Sequence, residues 1–498
     1  MSVLCIGAGP AGLTAAYLLS RQGVPVTVLE QDAQYVGGIS RTATYRGFAF
    51  DIGGHRFFSK SAEVEALWQE ILGEDFLARP RKSRIHYRHR LFDYPLRPWD
   101  AFSKLGPLEA ARCVLSYARA RLAPVPAPRN FTDWVTNKFG RRLFEIFFRT
   151  YTEKVWGMRC EEISADWAAQ RIKGLSLSKA ILQAFRGTRR APGQPVIKTL
   201  IDRFHYPRRG PGMMWEAATE KVRAQGGTVE LGVDVVGLRR QPDGAGWLVT
   251  ARGADGAERR FECEHVISSM PMRALVAALD PPPPAAVREA AEGLRYRDFL
   301  VVALVVRDRQ VFDDNWIYIH DPQVKVGRIQ NFKSWSPEMV PDPTLNCYGL
   351  EYFCFEGDGL WTAADADLIR LATEELVALG LAARSDILDG TVVRQPKAYP
   401  VYDDSYRARV DAIRGELEAN YPGLHPVGRN GMHKYNNQDH AMMTAMLTAR
   451  NILAGERQYD VWAVNEDAEY HEESRETAGE ARPAANVAAG ERLVPMRA

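Results

Sequence analysis

Gly7, Gly9 and Gly12 stand in the spacing G-x-G-x-x-G, and Glu30 follows 18 residues after the last of them. That spacing suits a dinucleotide. Gly7 permits a tight turn, Gly9 lets backbone approach a pyrophosphate, and Gly12 lets a helix pack on the preceding strand. The helix N-terminus presents unpaired N–H groups and a positive dipole end to the anion. A carboxylate at Glu30 accepts from a ribose 2′-hydroxyl and disfavours a 2′-phosphate, so FAD or NAD is expected rather than NADP. The flanks agree: Val3–Ile6 reads as a short apolar strand, residues 13–21 have helical apolar spacing, and residues 24–29 read as a second strand.

Gly37 and Gly38, followed by Ser40 and Arg41, make a second glycine turn soon after the acid. This resembles the extended FAD signature of glutathione-reductase-like flavoproteins, whose second loop touches the pyrophosphate and ribityl chain. The resemblance implies FAD. Gly53 and Gly54 precede His55; glycines there suit close approach of backbone to a flat ring, or a plain β-turn with a surface histidine. Residues 427–453 read as a strand end, a polar loop and an apolar-periodic helix. In flavoproteins of that class the matching segment returns to the FAD sheet, which implies Gly428, Arg429, Asn430 and Asn437 beside the cofactor. Val235 falls where related proteins contact adenine through backbone groups.

The stretch FFRTYTEKVWG, residues 147–157, mixes rings with charge. Phe148, Tyr151, Lys154 and Trp156 would give a substrate both stacking surfaces and phosphate contacts. The other reading is an aromatic helix–sheet joint with solvated charges. Gly157 is expected to end the helix. In residues 79–97, Arg81, Lys82, Arg84, Arg88 and Arg90 alternate around apolar positions. This reads as a half-buried strand or hairpin, an edge guarded by charge, with a phosphate or anionic-lipid contact as the sharper alternative.

The elements that must position these groups imply an α/β protein. The expected fold is a glutathione-reductase-like Rossmann FAD domain, discontinuous over residues 1–60, 196–275 and 420–465. A mostly helical insertion is expected over 61–195 and an antiparallel sheet substrate domain over 276–419. The last part, 466–498, has few large apolar residues and is expected to be partly disordered. In a chain of 498 residues, 64 basic and 62 acidic side chains leave a net charge of +2, which argues against nucleic acid or acidic membrane as the main partner and leaves room for local basic clusters. Six scattered cysteines form no C-x-x-C pair, so no metal is expected and a reduced, cytoplasmic setting fits best. The N-terminus lacks a basic leader, and no uncharged run is long enough for a transmembrane segment.

Together these motifs resemble the UDP-galactopyranose mutases, within the wider amine oxidase and protoporphyrinogen oxidase-like FAD superfamily. IGGHRFFSKSAEVEALW, RLFDYPL, YTEKVWG, GRIQNFK, YPVYDD and HKYNNQD are all similar to mutase segments. The resemblance implies His55 beside the flavin, Arg328 on a diphosphate, and Tyr151 and Trp156 along the substrate. Tyr402 and Tyr435 would position phosphate oxygens. It also implies ring isomerisation of a nucleotide sugar through a reduced-flavin N5–sugar adduct, with NAD(P)H as an external reductant. The sequence departs from the family at Leu175, where an arginine is usual, in the tyrosine-rich region 176–206, and at Asn437, where an acid is usual. UDP-galactose is therefore not the expected substrate. The rival reading is an oxidase or desaturase on the same FAD framework; a flavin-binding scaffold without turnover ranks third.

Overall fold

The computed structural model describes residues 1–163, 165, 203–241, 246–403 and 405–465. Leu175, the stretch 176–202 and the segment 466–498 lie outside the described residues. A parallel sheet of five strands runs in the order Leu424–Pro426, His265–Ser268, Val3–Ile6, Val26–Glu30, Thr228–Leu231. Its central strand is buried on both faces. Val3 and Cys5 point into one apolar cluster, Leu4 and Ile6 into another. This is why it reads as a continuous apolar run rather than an alternating one. Helices Pro10–Ser20, Gly212–Ala224 and Gln438–Ala454 cover the first face. The second is covered by a four-stranded sheet built from Glu258–Cys263, Trp247–Gly253, Val233–Arg240 and Leu279–Asp280. Start, middle and end of the chain thus meet in one α/β unit.

The other large sheet has seven strands, in the order Ile387–Pro400, Tyr296–Arg307, Leu345–Cys354, Arg328–Asn331, Trp316–Ile319, Ser83–Tyr87, Arg90–Asp93. All neighbours are antiparallel except Trp316–Ile319 and Ser83–Tyr87, which run parallel. Residues 61–195 are therefore not helical throughout: this segment lends a hairpin to the sheet, and Phe76–Pro80 pairs with Arg203–Pro207. The basic run forms that hairpin, with Arg90–Asp93 at the edge. Arg84 pairs with buried Asp314, and Lys82 pairs with Asp313.

Helices Pro98–Leu105, Pro107–Leu122, Phe131–Phe139 and Thr150–Trp156 pack behind the hairpin around Phe92, Phe131, Phe144 and Phe147. Gly157 ends the last of them at φ +61°, and a Cβ there would come within 2.6 Å of the Arg297 guanidinium. Arg297 in turn donates to the carbonyls of Lys154, Val155 and Phe353, which fastens this helix end to the sheet.

Candidate flavin and substrate site

A cavity of about 710 Å3 lies where the parallel sheet, the large sheet and the N-terminus of Gln438–Ala454 converge. Its dinucleotide end is set by close backbone packing. Gly7 holds φ +94°, and a Cβ on Gly12 would come within 1.9 Å of the Gly7 carbonyl oxygen. Gly12 and Gly37 do not line the cavity; they allow the turns to close. Gly37 donates to the Ala8 carbonyl at 2.7 Å, and a Cβ on it would meet Trp215 at 2.8 Å. Gly9 and Gly38 do line the cavity, and the nearest atom to a Cβ on Gly9 is 3.9 Å away, on Gly38. That leaves open space over a helix N-terminus.

Glu30 lines the same end and accepts from the Ala8 and Asp32 N–H groups at 2.7 and 2.9 Å. Burial raises its pKa, and those two N–H groups oppose the shift. Ser40 and Val235 also line this end. Arg41 stands behind it, donating to the Gly38 carbonyl at 3.0 Å and to Gln395.

At the other end, Gly53, Gly54 and His55 come up against the large sheet. A Cβ on Gly53 would lie 3.6 Å from His55 Nε2 and 3.9 Å from an Arg328 Nη2. Nε2 of His55 donates to the Ile52 carbonyl at 2.9 Å. Burial, with Arg429 and Arg328 nearby, pushes its pKa down to about 4, so the ring is neutral. Arg328 pairs through Nε with Glu351, which is fully buried and also accepts from Gln330 at 2.8 Å. Burial opposes the charge on Arg328, but Glu351 and the hydroxyls of Tyr151, Tyr399 and Tyr318 outweigh it and hold its pKa well above the ordinary value. Trp335 donates to Gln330 Oε1 at 2.9 Å and stacks on Trp316 at 5.3 Å.

The remaining wall comes from residues 395–399 and 428–441. Arg429 lies 5.2 Å from the Tyr399 ring centroid and 5.1 Å from that of Tyr435. Its Nε and Nη1 donate to the carbonyls of Asn436 and Ala398. Asn437 caps the helix Gln438–Ala454 in a reciprocal box with His440. Gly428, Asn430 and Gln438 line the cavity. Asn430 Oδ1 and Gln438 Oε1 are buried with no hydrogen-bond partner among the described residues. Two orphaned acceptors beside an open glycine cradle fit a flavin dinucleotide, whose ring N–H and ribityl hydroxyls are donors.

The substrate candidates divide. Tyr435 lines the cavity and stacks on Tyr399 at 5.6 Å. Tyr151 packs edge-on against the cavity-lining Tyr318 at 5.2 Å and stacks on His320. Tyr402 stands one step back, its hydroxyl accepting from the Tyr435 N–H at 2.6 Å. Trp156 and Phe148 lie elsewhere: Trp156 is buried in the helical cluster and Phe148 stacks on Phe139. Lys154 donates to the carbonyls of Ile319, Asp321 and Val326, which ties its helix to a loop of the sheet rather than to a phosphate. Their side chains leave the helix on the face toward the packed core, and ring spacing alone does not say which face that is. Sequence reading passed over Glu351, Gln330, Trp316, Tyr318, Trp335 and Tyr399. A lone carboxylate inside the apolar run YGLEYFC, and polar residues alternating on 328–331, were the signals available.

Residues 10–452 match the family described as flavin containing amine oxidoreductase. Over 174 residues the chain is 23% identical to the probable UDP-galactopyranose mutase of Klebsiella pneumoniae, covering 33% of this chain and 43% of that protein, less than half its length. Among solved structures, a reduced UDP-galactopyranose mutase superposes with a TM-score of 0.77 at 22% identity, covering 91% of this chain and 94% of the other. A putative protoporphyrinogen oxidase from Exiguobacterium sp. 255-15 superposes with a TM-score of 0.68 at 18% identity, covering 91% and 99%. At these identities the superpositions establish the fold.

Proposed function

The chain belongs to the flavin containing amine oxidoreductase family, and from that premise we propose that it is an FAD-dependent mutase of a nucleotide sugar other than UDP-galactose. Gly9, Gly38 and the N-terminus of Pro10–Ser20 would hold the pyrophosphate, Glu30 a ribose hydroxyl, and Asn430 and Gln438 the donors toward the ring end. A flavin bound there supplies a ring nitrogen that is nucleophilic when reduced and a hydride acceptor when oxidised.

The observation that carries the proposal is the guanidinium of Arg328, set beside Gly53 and His55 and ringed by tyrosines. Its Nη groups bind a leaving diphosphate while Glu351 fixes the Nε side, so orientation is set before the ligand arrives. Tyr399 stays protonated, its pKa pushed up by burial and by Tyr435 to about 12, and donates to a phosphate oxygen. His55 holds its proton on Nε2 toward Ile52 and adds no charge to the chamber. An external reductant of the NAD(P)H class would keep the bound flavin reduced.

A second reading, an oxidase, has one specific observation in its favour: Glu351 offsets the charge of Arg328 inside the chamber. The two separate in one experiment. The flavin-loaded protein is reduced without oxygen and given a panel of UDP-, GDP- and TDP-sugars. Ring-isomerised product without net reductant use is expected. Oxygen or reductant consumed in proportion to product, or no sugar turnover at all, overturns the mutase reading.

A further inference from the structure

Seven of the eleven exposed large apolar side chains among the described residues fall between Tyr94 and Val125. Trp99 is 75% exposed, and Leu108, Leu115 and Leu122 are 67%, 70% and 87% exposed. Leucines seven residues apart drift by only about 20° around a helix, so these three form one line along Pro107–Leu122. Arg112 and Arg119, each four residues beyond a leucine of that line, share its face and are also exposed. The opposite side, through Cys113 and Ala120, is buried. The helix is thus apolar on two sides, and one of them faces out.

Charge is concentrated at the same place. Residues 79–129 hold 12 Lys and Arg against 3 Asp and Glu, a net of +9 in a chain of net +2; Arg79, Lys82 and Arg84 pair with Glu338, Asp313 and Asp314 outside the segment, which leaves +6. We propose that the face formed by Pro98–Leu105 and Pro107–Leu122 docks on an anionic lipid surface, with Trp99, Leu108, Leu115 and Leu122 entering the headgroup boundary and Arg112, Arg119 and Arg121 meeting lipid phosphates. An amphipathic helix with apolar residues on one face and arginines flanking them has the composition that lies in such an interface. A second copy of this chain is the poorer occupant, because a twofold contact would set this basic segment against itself. Exposed leucines and a tryptophan gain nothing from a soluble polyanion. The docked face adjoins the chamber, since the half-exposed Tyr94 ring lies 4.9 Å from Tyr318, a cavity wall.

The proposal does not depend on the reaction catalysed. The test is sedimentation of the full-length, flavin-loaded protein with phosphatidylcholine vesicles, with and without about 30% phosphatidylglycerol, at about 0.1 M and about 0.5 M salt. Binding is expected on the anionic vesicles only and should weaken at the higher salt. Leu115→Asp and Trp99→Ala should each lower the partition coefficient about 10-fold. Arg119→Glu with Arg121→Glu should remove most of the salt dependence, while unchanged flavin absorbance reports an intact fold. Absence of vesicle binding overturns the proposal, as does binding indifferent to Leu115→Asp. A concentration-dependent dimer that Leu115→Asp dissociates, with no vesicle binding, assigns the face to a second copy instead.

Discussion

Removing Arg328 and removing Glu351 should have opposite effects on ligand binding and unequal effects on stability. Glu351 is 0% exposed and Arg328 17% exposed at the side chain, and the pair is joined through Nε. Arg328→Met leaves a fully buried carboxylate whose remaining donor is Gln330 at 2.8 Å. Breaking a buried pair from one side costs about 3–5 kcal/mol. Burial already raises the Glu351 pKa against the pull of Arg328, so the orphaned acid takes a proton, and the loss should shrink as pH falls. Glu351→Gln leaves a guanidinium that borders the cavity and can be hydrated, so its cost should be smaller and should not shrink at low pH. The double variant Arg328→Met/Glu351→Gln should be more stable than Arg328→Met alone, the coupling expected of groups in direct contact.

Binding gives the sharper discrimination. A charge-assisted hydrogen bond contributes about 1.5–3 kcal/mol, or about 10- to 150-fold in Kd. Titration calorimetry with a nucleoside diphosphate should therefore show at least a ~10-fold loss for Arg328→Met. It should show tighter binding for Glu351→Gln, because the competing carboxylate is gone. Nucleoside diphosphate affinity within about twofold of the wild type in Arg328→Met would refute the role given to this guanidinium.

Three further outcomes are expected. Gly9→Ala should fold normally but bind flavin poorly, whereas Gly12→Ala should fail at folding, because its Cβ would sit 1.9 Å from a carbonyl oxygen and that of Gly9 has 3.9 Å of room; melting curves beside flavin absorbance separate the two. Four histidines, the buried His320 and His433 and the half-buried His55 and His425, have pKa values pushed down mainly by desolvation, to about 3 and about 4 for the first two and about 4 and about 3 for the others. The unfolded chain takes up their protons first, so stability should fall as pH drops from 6.5 toward 4. Asp51 runs the other way: burial pushes it from 3.8 to about 8, so its contribution is lost as pH rises through that range, and Asp51→Asn should remove that slope from the acid-to-neutral part of a urea-midpoint profile. Lys154→Met should cost about 3 kcal/mol in stability by leaving three carbonyls unpaired, with ligand affinity unchanged; a selective loss of affinity would restore Lys154 to the substrate.

The dinucleotide end was legible because its signals are local: glycine spacing, an apolar strand and an acid lie within residues 1–30. The substrate end was less so. Ile387–Pro400 supplies Gln395 to Tyr399 to the cavity, yet Pro396 and the positive φ of Lys397 break the period of a strand. What keeps it in the sheet is remote. Asp298, on the neighbouring strand, accepts the Lys397 N–H at 2.7 Å across a register shift. Glu351 was missed for a similar reason: a carboxylate in an apolar strand makes sense only with Arg328 beside it, 23 positions away in sequence. The mixed stretch 147–157 was split between two readings, and both apply to different residues. Tyr151 packs behind the cavity wall against Tyr318, while Phe148, Lys154 and Trp156 build the joint.

Both guanidiniums nearest His55 are committed before any ligand arrives, Arg328 to Glu351 and Arg429 to two backbone carbonyls between two tyrosine rings. Their rotamers are fixed by the fold, so a ligand bound there need not order them, and the donors still facing the cavity act at full strength in a site walled by tryptophan and tyrosine. The same commitment limits how much net charge the chamber can offer. Arg328 and Glu351 together bring none, so a dianionic group must find its excess from Arg429 or from the other cations that line the cavity, Arg56 and Lys397. Recognition then rests on direction more than on field, which favours a ligand whose phosphate oxygens sit at a fixed distance from the reacting carbon over one that merely carries charge.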